Sequence, residues 1–389
     1  MKILFTVLDG LGDRPVKSLG GTPLESADTP NLDNLAKGGE TGLIAPQFEG
    51  DFPTSKEGHL GLFGFNPTDD DLRRGVFEVL GAGMELKEGD VAFRGNFATV
   101  DKNLKIIDRR AGRISDTSSL VEKINGMEVK GIKIIIKPGV SHRAGVILRG
   151  EGLSHHVSDG DLHKEGIKAP KMKPTDKSKE AEFTALILNK FLDKIHEVLE
   201  SHSFNKKRKE KDLLPANFIL LRGAGRLKNM ESFEEKWGIS ASCVAGGTLY
   251  KGIGKALGMD FLEVEGATGK HDTDLEGKFE KALSSLGKYD FSFLHIKATD
   301  NFSHDGDCLG KKRFIEKIDD QFSSVGDVLT IVTGDHCTSC EKKEHIGDPI
   351  PVLVSGRGKD ETSKFGEKYC KKGGLGKIKS TEFLEKTIF

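Results

Sequence analysis

The segment Lys2–Leu8 (KILFTVL) is a short, almost wholly apolar and β-branched run that stops at Asp9-Gly10-Leu11-Gly12-Asp13. A run without polar alternation belongs inside a parallel sheet that is covered on both faces. It ends in an acid, and open α/β sheets bind their ligands at the carboxyl ends of their strands. Runs of the same kind recur at Asn217–Leu221, Phe291–Ile296, Val328–Val332 and Ile350–Val354. Between them, Pro30–Lys37, Glu182–Glu200 and Gly310–Phe322 place apolar residues at three- and four-residue spacing, the mark of amphipathic helices. Such alternation predicts a doubly wound α/β core.

The middle of the chain follows another rule. From Glu88 to Pro174 the apolar runs (VAFRGNFATV, LKIID, KIIIKPGV, GVILRG) are shorter and alternate with polar residues, as in a mostly antiparallel or mixed sheet. Gly166–Lys179, rich in Lys and Pro, reads as a linker back to the core. The expected organisation is a core in two parts, 1–87 and 176–389, split by an inserted smaller α+β domain at 88–175. The basic run Lys206–Lys211 (KKRKEK) reads as a solvated loop.

Charge and cysteine usage narrow the function. With 59 Lys plus Arg against 60 Asp plus Glu, the chain lacks the basic surplus that a nucleic-acid binder directs at phosphates. No stretch reaches the roughly 18 apolar residues that span a bilayer, and no secretory leader is visible, so neither a membrane nor a nucleic-acid partner is expected. Five cysteines do not make a disulfide framework, which points to a cytoplasmic protein. Cys337 and Cys340 form a C-x-x-C without a second pair to complete a zinc site, so a structural role is expected for them.

Acids and histidines collect where the strands end. Val328–Gly334 runs into Asp335-His336 with His345 nine residues later, and Phe291–Lys297 runs into Asp300 with His304 four residues on. Together with Asp9 these residues predict a dinuclear site at one sheet edge, since carboxylate oxygen and imidazole nitrogen suit Mn²⁺, Zn²⁺ or Co²⁺. Ser55, in Pro53-Thr54-Ser55-Lys56, stands where a helix begins. It is either an ordinary helix cap or a nucleophile beside an anion site, with Thr54 as its chemical competitor. Arg109, Arg110 and Arg113 (DRRAGR) in the inserted domain and Arg222 after a core strand could clamp phosphate and carboxylate from two domains. His163 is a candidate proton shuttle, and Lys251 a candidate phosphate neutraliser.

These residues lie in a series of motifs spread over nearly the whole chain: DGLGDRP, TPLESADTPNLDNLA, GVFEVLGAGMELKEGDVAFRGNFATVD, DRRAGR, LPANFILLRGAG, VEGATGKHDTD, HIKATDNFSHDGD and TGDHCTSCEKKEHIGDPIPVLV. In this order they resemble the cofactor-independent phosphoglycerate mutases, specifically the archaeal-type branch of the alkaline phosphatase superfamily. The resemblance implies an alkaline phosphatase-like core and two divalent metal ions, Mn²⁺ foremost, with Mg²⁺, Co²⁺ or Zn²⁺ as substitutes. It groups Asp9, Ser55, Asp335 and His336 around one metal and Asp300, His304 and His345 around the other, with Ser55 as nucleophile. His59, at the Ser-x-x-Gly-His spacing of the bacterial branch, joins the substrate contacts. Thr54-Ser55-Lys56 stands where archaeal-type relatives commonly have Gly-Ser-Asp, Ser303 replaces a usual Gly or other small residue, and Thr68–Arg74 (TDDDLRR) replaces a Tyr-containing segment.

The implied activity interconverts 3-phosphoglycerate and 2-phosphoglycerate through a phosphoserine, with the inserted domain closing over a small-molecule substrate. Rival readings use the same site as a metal-dependent phosphatase, as a phosphotransferase acting on another hydroxy compound, or as a non-catalytic metal-binding scaffold.

Overall fold

The computed structural model describes residues 1–46, 53–69, 71–227 and 231–389. The chain forms two compact units, Met1–Thr68 with Glu231–Phe389 and, between them, Asp69–Met230. Among the described residues no helix is long and apolar enough to cross a membrane.

The first unit is built on an eight-stranded sheet in the order Asp260–Phe261, Ala241–Val244, Phe291–Ile296, Ile3–Leu8, Leu329–Thr333, Ile350–Ser355, Gly39–Ala45, Gly376–Lys379. Ile3–Leu8 pairs in parallel with Phe291–Ile296 on one side and Leu329–Thr333 on the other. The doubly wound core expected from the alternating pattern is present. Ile350–Ser355 departs from that pattern, because it runs antiparallel to both neighbours. Only a short ribbon, Cys337–Ser339 paired with Glu344–Ile346, joins it to Leu329–Thr333. Without a crossover helix the chain returns in the opposite sense, and apolar content alone cannot show this.

Each face of the sheet is sealed by a different set of side chains, as the two-residue period of a strand requires. Leu4, Leu8, Leu294, Ile296 and Val332 pack with Leu32, Phe279, Phe314 and Ile318 from the flanking helices. On the other face Phe5 lies between 5.4 and 6.4 Å, ring centre to ring centre, from Phe63, Phe291, Phe293 and Phe383. The helices obey local rules. Pro30–Lys37 opens on a proline and stops at Gly38, and Cys308–Gln321 is capped by the Asp307 carboxylate, which accepts from the Gly310 N–H.

In the second unit Val91–Val100 is the central strand, antiparallel to Arg143–Arg149, to Phe218–Gly225 and, at its end, to Ile106–Asp108. Ile132–Pro138 and Glu128–Val129 extend the sheet. The strands in the middle of the chain pair antiparallel, and the compact unit that holds them, Asp69–Met230, extends beyond 88–175 at both ends. Phe218–Gly225, read from its apolar start as a parallel core strand, instead completes this sheet. The helix Lys179–Ser201 turns Ile187, Leu188, Phe191 and Ile195 into the same core as Phe93, Phe97 and Leu220. Gly166–Lys179 is therefore a connection within the unit, because the apolar stripe after it has its partners there. The basic run is mostly helical too, within Ser203–Lys209, with the Arg208 guanidinium donating to the carbonyls of Leu214 and Ala111.

Phe5→Ala leaves a void beneath the strands that carry the acids, and is expected to lower stability by about 3–5 kcal/mol in urea denaturation with an unchanged denaturant slope.

Candidate metal centre

The three adjacent strands Phe291–Ile296, Ile3–Leu8 and Leu329–Thr333 end together, so the residues that follow them meet at one edge. Asp9 follows the central strand, Asp335 and His336 follow the second, and the helix Ala298–Asp305 after the third carries Asp300 and His304 on one face. Asp9, Asp300, Asp335 and His336 are all within 1% of full burial. Asp9, Asp335 and His336 bring ligand atoms within 4.8 Å of one another, and so do Asp300, His304 and His345. His345 arrives from the short ribbon, where it sits directly across from Thr338.

Thr338 joins the two groups. Its hydroxyl donates to Asp300 Oδ1 at 2.7 Å and lies 3.0 Å from His336 Nδ1. Lys297 joins them a second time, with its ammonium 2.7 Å from Asp9 Oδ1 and 2.5 Å from Asp300 Oδ2. Against the opposing effect of burial, Lys297 and the neighbouring imidazoles hold the Asp9 carboxyl well below the usual carboxylate range.

Ser55 is not the cap of its helix. Thr54 takes that place in a capping box with Glu57, which leaves Ser55, first residue of Ser55–Leu62, free for other contacts. Its Oγ lies 3.3 Å from His336 Nε2. The helix rests on the loop that holds Asp335, where a Cβ on Gly58 would come within 2.2 Å of the Asp335 carbonyl oxygen.

The donor set fits two divalent cations of borderline hardness. The carboxylate oxygen Asp335 Oδ2 is buried and finds no hydrogen-bond donor, although His59 Nδ1 and His336 Nε2 stand 3.3 and 3.4 Å away. A buried, unpartnered carboxylate oxygen facing imidazoles is a costly feature that a cation would resolve. His304 and His345 have their Nδ1 atoms anchored on the carbonyls of Lys343 and Pro53, both at 2.9 Å, which aims Nε2 at Asp300.

The profile of the metalloenzyme superfamily matches residues 1–386. The chain belongs to this superfamily. Within it, 2,3-bisphosphoglycerate-independent phosphoglycerate mutase 1 of Methanocaldococcus jannaschii is 44% identical over 99% of this chain and 96% of its own length. The enzyme of that name from Sulfolobus acidocaldarius is also 44% identical, over 98% and 95%. The cofactor-independent phosphoglycerate mutase from Thermoplasma acidophilum superposes with a TM-score of 0.75 at 35% identity, covering 100% of this chain and 99% of that one. A Pyrococcus horikoshii protein superposes at 0.86, again at 35% identity, covering 100% and 96%. The chain is thus a member of the cofactor-independent phosphoglycerate mutase family.

Other residues expected at the site of this family member stand differently. His59 is fully buried, with Nδ1 bonded to the Ser55 carbonyl at 2.7 Å and 3.3 Å from Asp335 Oδ2, so it supports Ser55 and Asp335. Lys251 lays its ammonium over the Phe261 ring at 4.8 Å, and Lys297 is the lysine at the acids. Arg222 belongs to the same unit as Arg109, so no clamp draws one arginine from each domain. In that unit the Arg109 guanidinium makes two bonds to Asp161, at 2.8 and 2.9 Å, the Asp161 carboxylate also accepts from the His163 N–H, and the His163 ring meets Arg222. Arg110 and Arg113 are exposed. Within Thr68–Arg74, Asp70 lies outside the described residues.

Several buried charged and titratable groups in the two units escaped sequence reasoning. Arg94 faces Arg222 directly across the sheet and shares Glu78 with Arg74. Burial lowers the Arg94 guanidinium to about 9, and Arg74, Arg143 and Arg222 add to the effect against the pull of Glu78. A signal was available, because Arg94 interrupts an apolar strand pattern. His295, inside the Phe291–Ile296 strand, bonds Asp9 Oδ2 at 3.0 Å, and burial pushes it down to about 3, so its imidazole is neutral. Beneath it Lys278 donates to the His295 carbonyl.

Burial lowers the Lys278 ammonium from 10.5 to about 7. Across that window the unfolded chain holds the proton that the folded protein has released. Stability therefore rises with pH by up to about 1.4 kcal/mol per unit from this group. Lys278→Met is expected to remove that rise, as seen by comparing the urea denaturation of both proteins at about pH 7 and about pH 10.

Proposed function

We propose that this protein is a 2,3-bisphosphoglycerate-independent phosphoglycerate mutase, interconverting 3-phosphoglycerate and 2-phosphoglycerate through a phosphoserine on Ser55 in the cytoplasm. The observation that carries the reading is the placing of Ser55 Oγ, freed from capping, 3.3 Å from His336 at the edge of the two acid and histidine groups. Relatives bearing that name are matched over almost their whole length.

Asp9, Ser55, Asp335 and His336 would hold one divalent cation, and Asp300, His304 and His345 a second, with Mn²⁺ the preferred ion. Such cations lower the proton affinity of the Ser55 hydroxyl and offset charge on the phosphoryl oxygens. The chain's own groups do the rest. Ser55 Oγ attacks phosphorus, the bond to the substrate oxygen breaks, and that oxygen leaves as a glycerate hydroxyl, taking up the proton that the Ser55 hydroxyl gives up. The free N–H groups in the first turn of Ser55–Leu62 favour the transferred anion, and the Lys297 ammonium adds positive charge beside it. In the return step the other glycerate hydroxyl attacks, and Ser55 is regenerated.

Mutase and phosphatase differ only in whether glycerate is retained. Guanidinium groups match its carboxylate in bidentate fashion, and Arg110 and Arg113 are exposed and thus open to such a ligand. Arg109, committed to Asp161, shapes that loop.

Protein stripped of metal, reloaded with Mn²⁺ and given 3-phosphoglycerate alone is expected to yield 2-phosphoglycerate, followed by coupling to enolase, and Ser55→Ala to yield none. Free phosphate as the main product would replace the mutase reading with a phosphatase. Replacing Arg110 and Arg113 together by Gln is expected to raise free phosphate relative to 2-phosphoglycerate severalfold, measured on the same samples.

A further inference from the structure

We propose that Tyr250 is a catalytic hydrogen-bond donor to the Ser55 nucleophile. The inference deepens the phosphoserine reading and rests on it. Tyr250 lies on the helix Thr248–Ala256, which follows the Ala241–Val244 strand and so begins at the same edge as the acids. Its hydroxyl donates to Ser55 Oγ at 3.4 Å. Its ring stacks on His295 with centres 3.5 Å apart and 19° between planes, and the His59 ring stands 5.1 Å away. Only 4% of the residue is exposed.

These contacts fix the phenol on several sides. His295 is itself bonded to Asp9, and His59 is bonded to the Ser55 carbonyl, so the groups that locate the acids and the serine also locate the tyrosine ring. The hydroxyl is held within reach of both Ser55 Oγ and the Asp9 carboxylate, so a donor already stands at Oγ as charge develops there. Its neighbour Lys251 points to Phe261, because consecutive residues on a helix face about 100° apart.

The donor acts wherever Ser55 Oγ carries negative charge. In the first half-reaction the Oγ–P bond forms as the P–O bond to the substrate breaks, and the charge passes to the departing glycerate oxygen. In the second half-reaction a hydroxyl oxygen of glycerate bonds to phosphorus, the electron pair of the breaking P–Oγ bond returns to Ser55, and the proton of that hydroxyl ends on Oγ. Tyr250 keeps its proton throughout and stabilises Oγ as it leaves. Loss of the donor thus weighs most on breakdown of the phosphoserine.

Tyr250→Phe keeps the ring and its stacking and deletes the donor. The expected result is a fall in kcat of about tenfold, below the hundredfold typical of an oxyanion donor because the bond is long. KM for 3-phosphoglycerate should stay within about twofold, and phosphoserine should accumulate in acid-quenched samples read by intact mass. Tyr250→Ala, which also removes the stack, serves as the comparison. A purely packing role predicts that Phe restores wild-type kcat and wild-type phosphoenzyme levels, and that outcome overturns the proposal. So does a tenfold loss of Mn²⁺ affinity in the Phe variant with normal kcat at saturating metal. Turnover is scored as 2-phosphoglycerate plus free phosphate. A wild-type protein that releases only phosphate defeats the mutase reading, yet still tests Tyr250 through the decay of the same phosphoserine.

Discussion

Asp9, Asp300 and Asp335 are buried side by side, and three carboxylates cannot share a water-poor volume without positive charge among them. The Lys297 ammonium, touching both Asp9 and Asp300, is the fixed part of that charge. It leaves Asp335 Oδ2 unpartnered, and the imidazoles of His336, His304 and His345 are turned inward with their Nε2 atoms toward the acids. Much of the surrounding structure can be understood as the means of holding this arrangement in place. The parallel strands bring the acids together, and the aromatic and aliphatic layers on the two faces of the sheet keep those strands in register.

Precision at the edge comes from small residues and hydroxyl groups. Thr338 sits across the ribbon from His345 while its hydroxyl serves Asp300 and His336, so one side chain sets the spacing of both groups. Lys311, fully buried, donates to the Gly10 and Thr338 carbonyls and pairs with Asp13, which ties the loop after Asp9 to the loop after His336. The buried Cys337 and Cys340 line this junction, and burial raises both thiols, in keeping with the structural role read from their spacing.

The second unit stores a different kind of cost. Arg94 and Arg222 are directly opposite on neighbouring strands, with Arg74 and Arg143 close by, and like charges so placed are destabilising. Glu78 answers part of this charge, and burial combined with so many guanidiniums remains a local conflict. His163, held at φ 59° beside Arg222, adds backbone strain.

The strands and helices were largely legible in the sequence, because an apolar run or stripe announces its own burial. Phe291–Ile296 and Val91–Val100 coincide with the runs that predict them. The acids and histidines at strand ends were legible for a related reason, since a strand followed at once by a ligand-type residue fixes that residue at the sheet edge. Pairing was not legible. Apolar content shows that Ile350–Ser355 and Phe218–Gly225 are buried strands, but strand direction and partner depend on what joins the strands in space. The sequence by itself therefore determined the elements, the family and the residues that could carry the chemistry. Only the tertiary structure decided that His59 faces inward, that Lys297 and not Lys251 serves the acids, that Arg222 joins Arg109 in one unit, and that Tyr250 reaches Ser55. Those are matters of side-chain direction across elements distant in sequence, set by packing, and no local pattern encodes them.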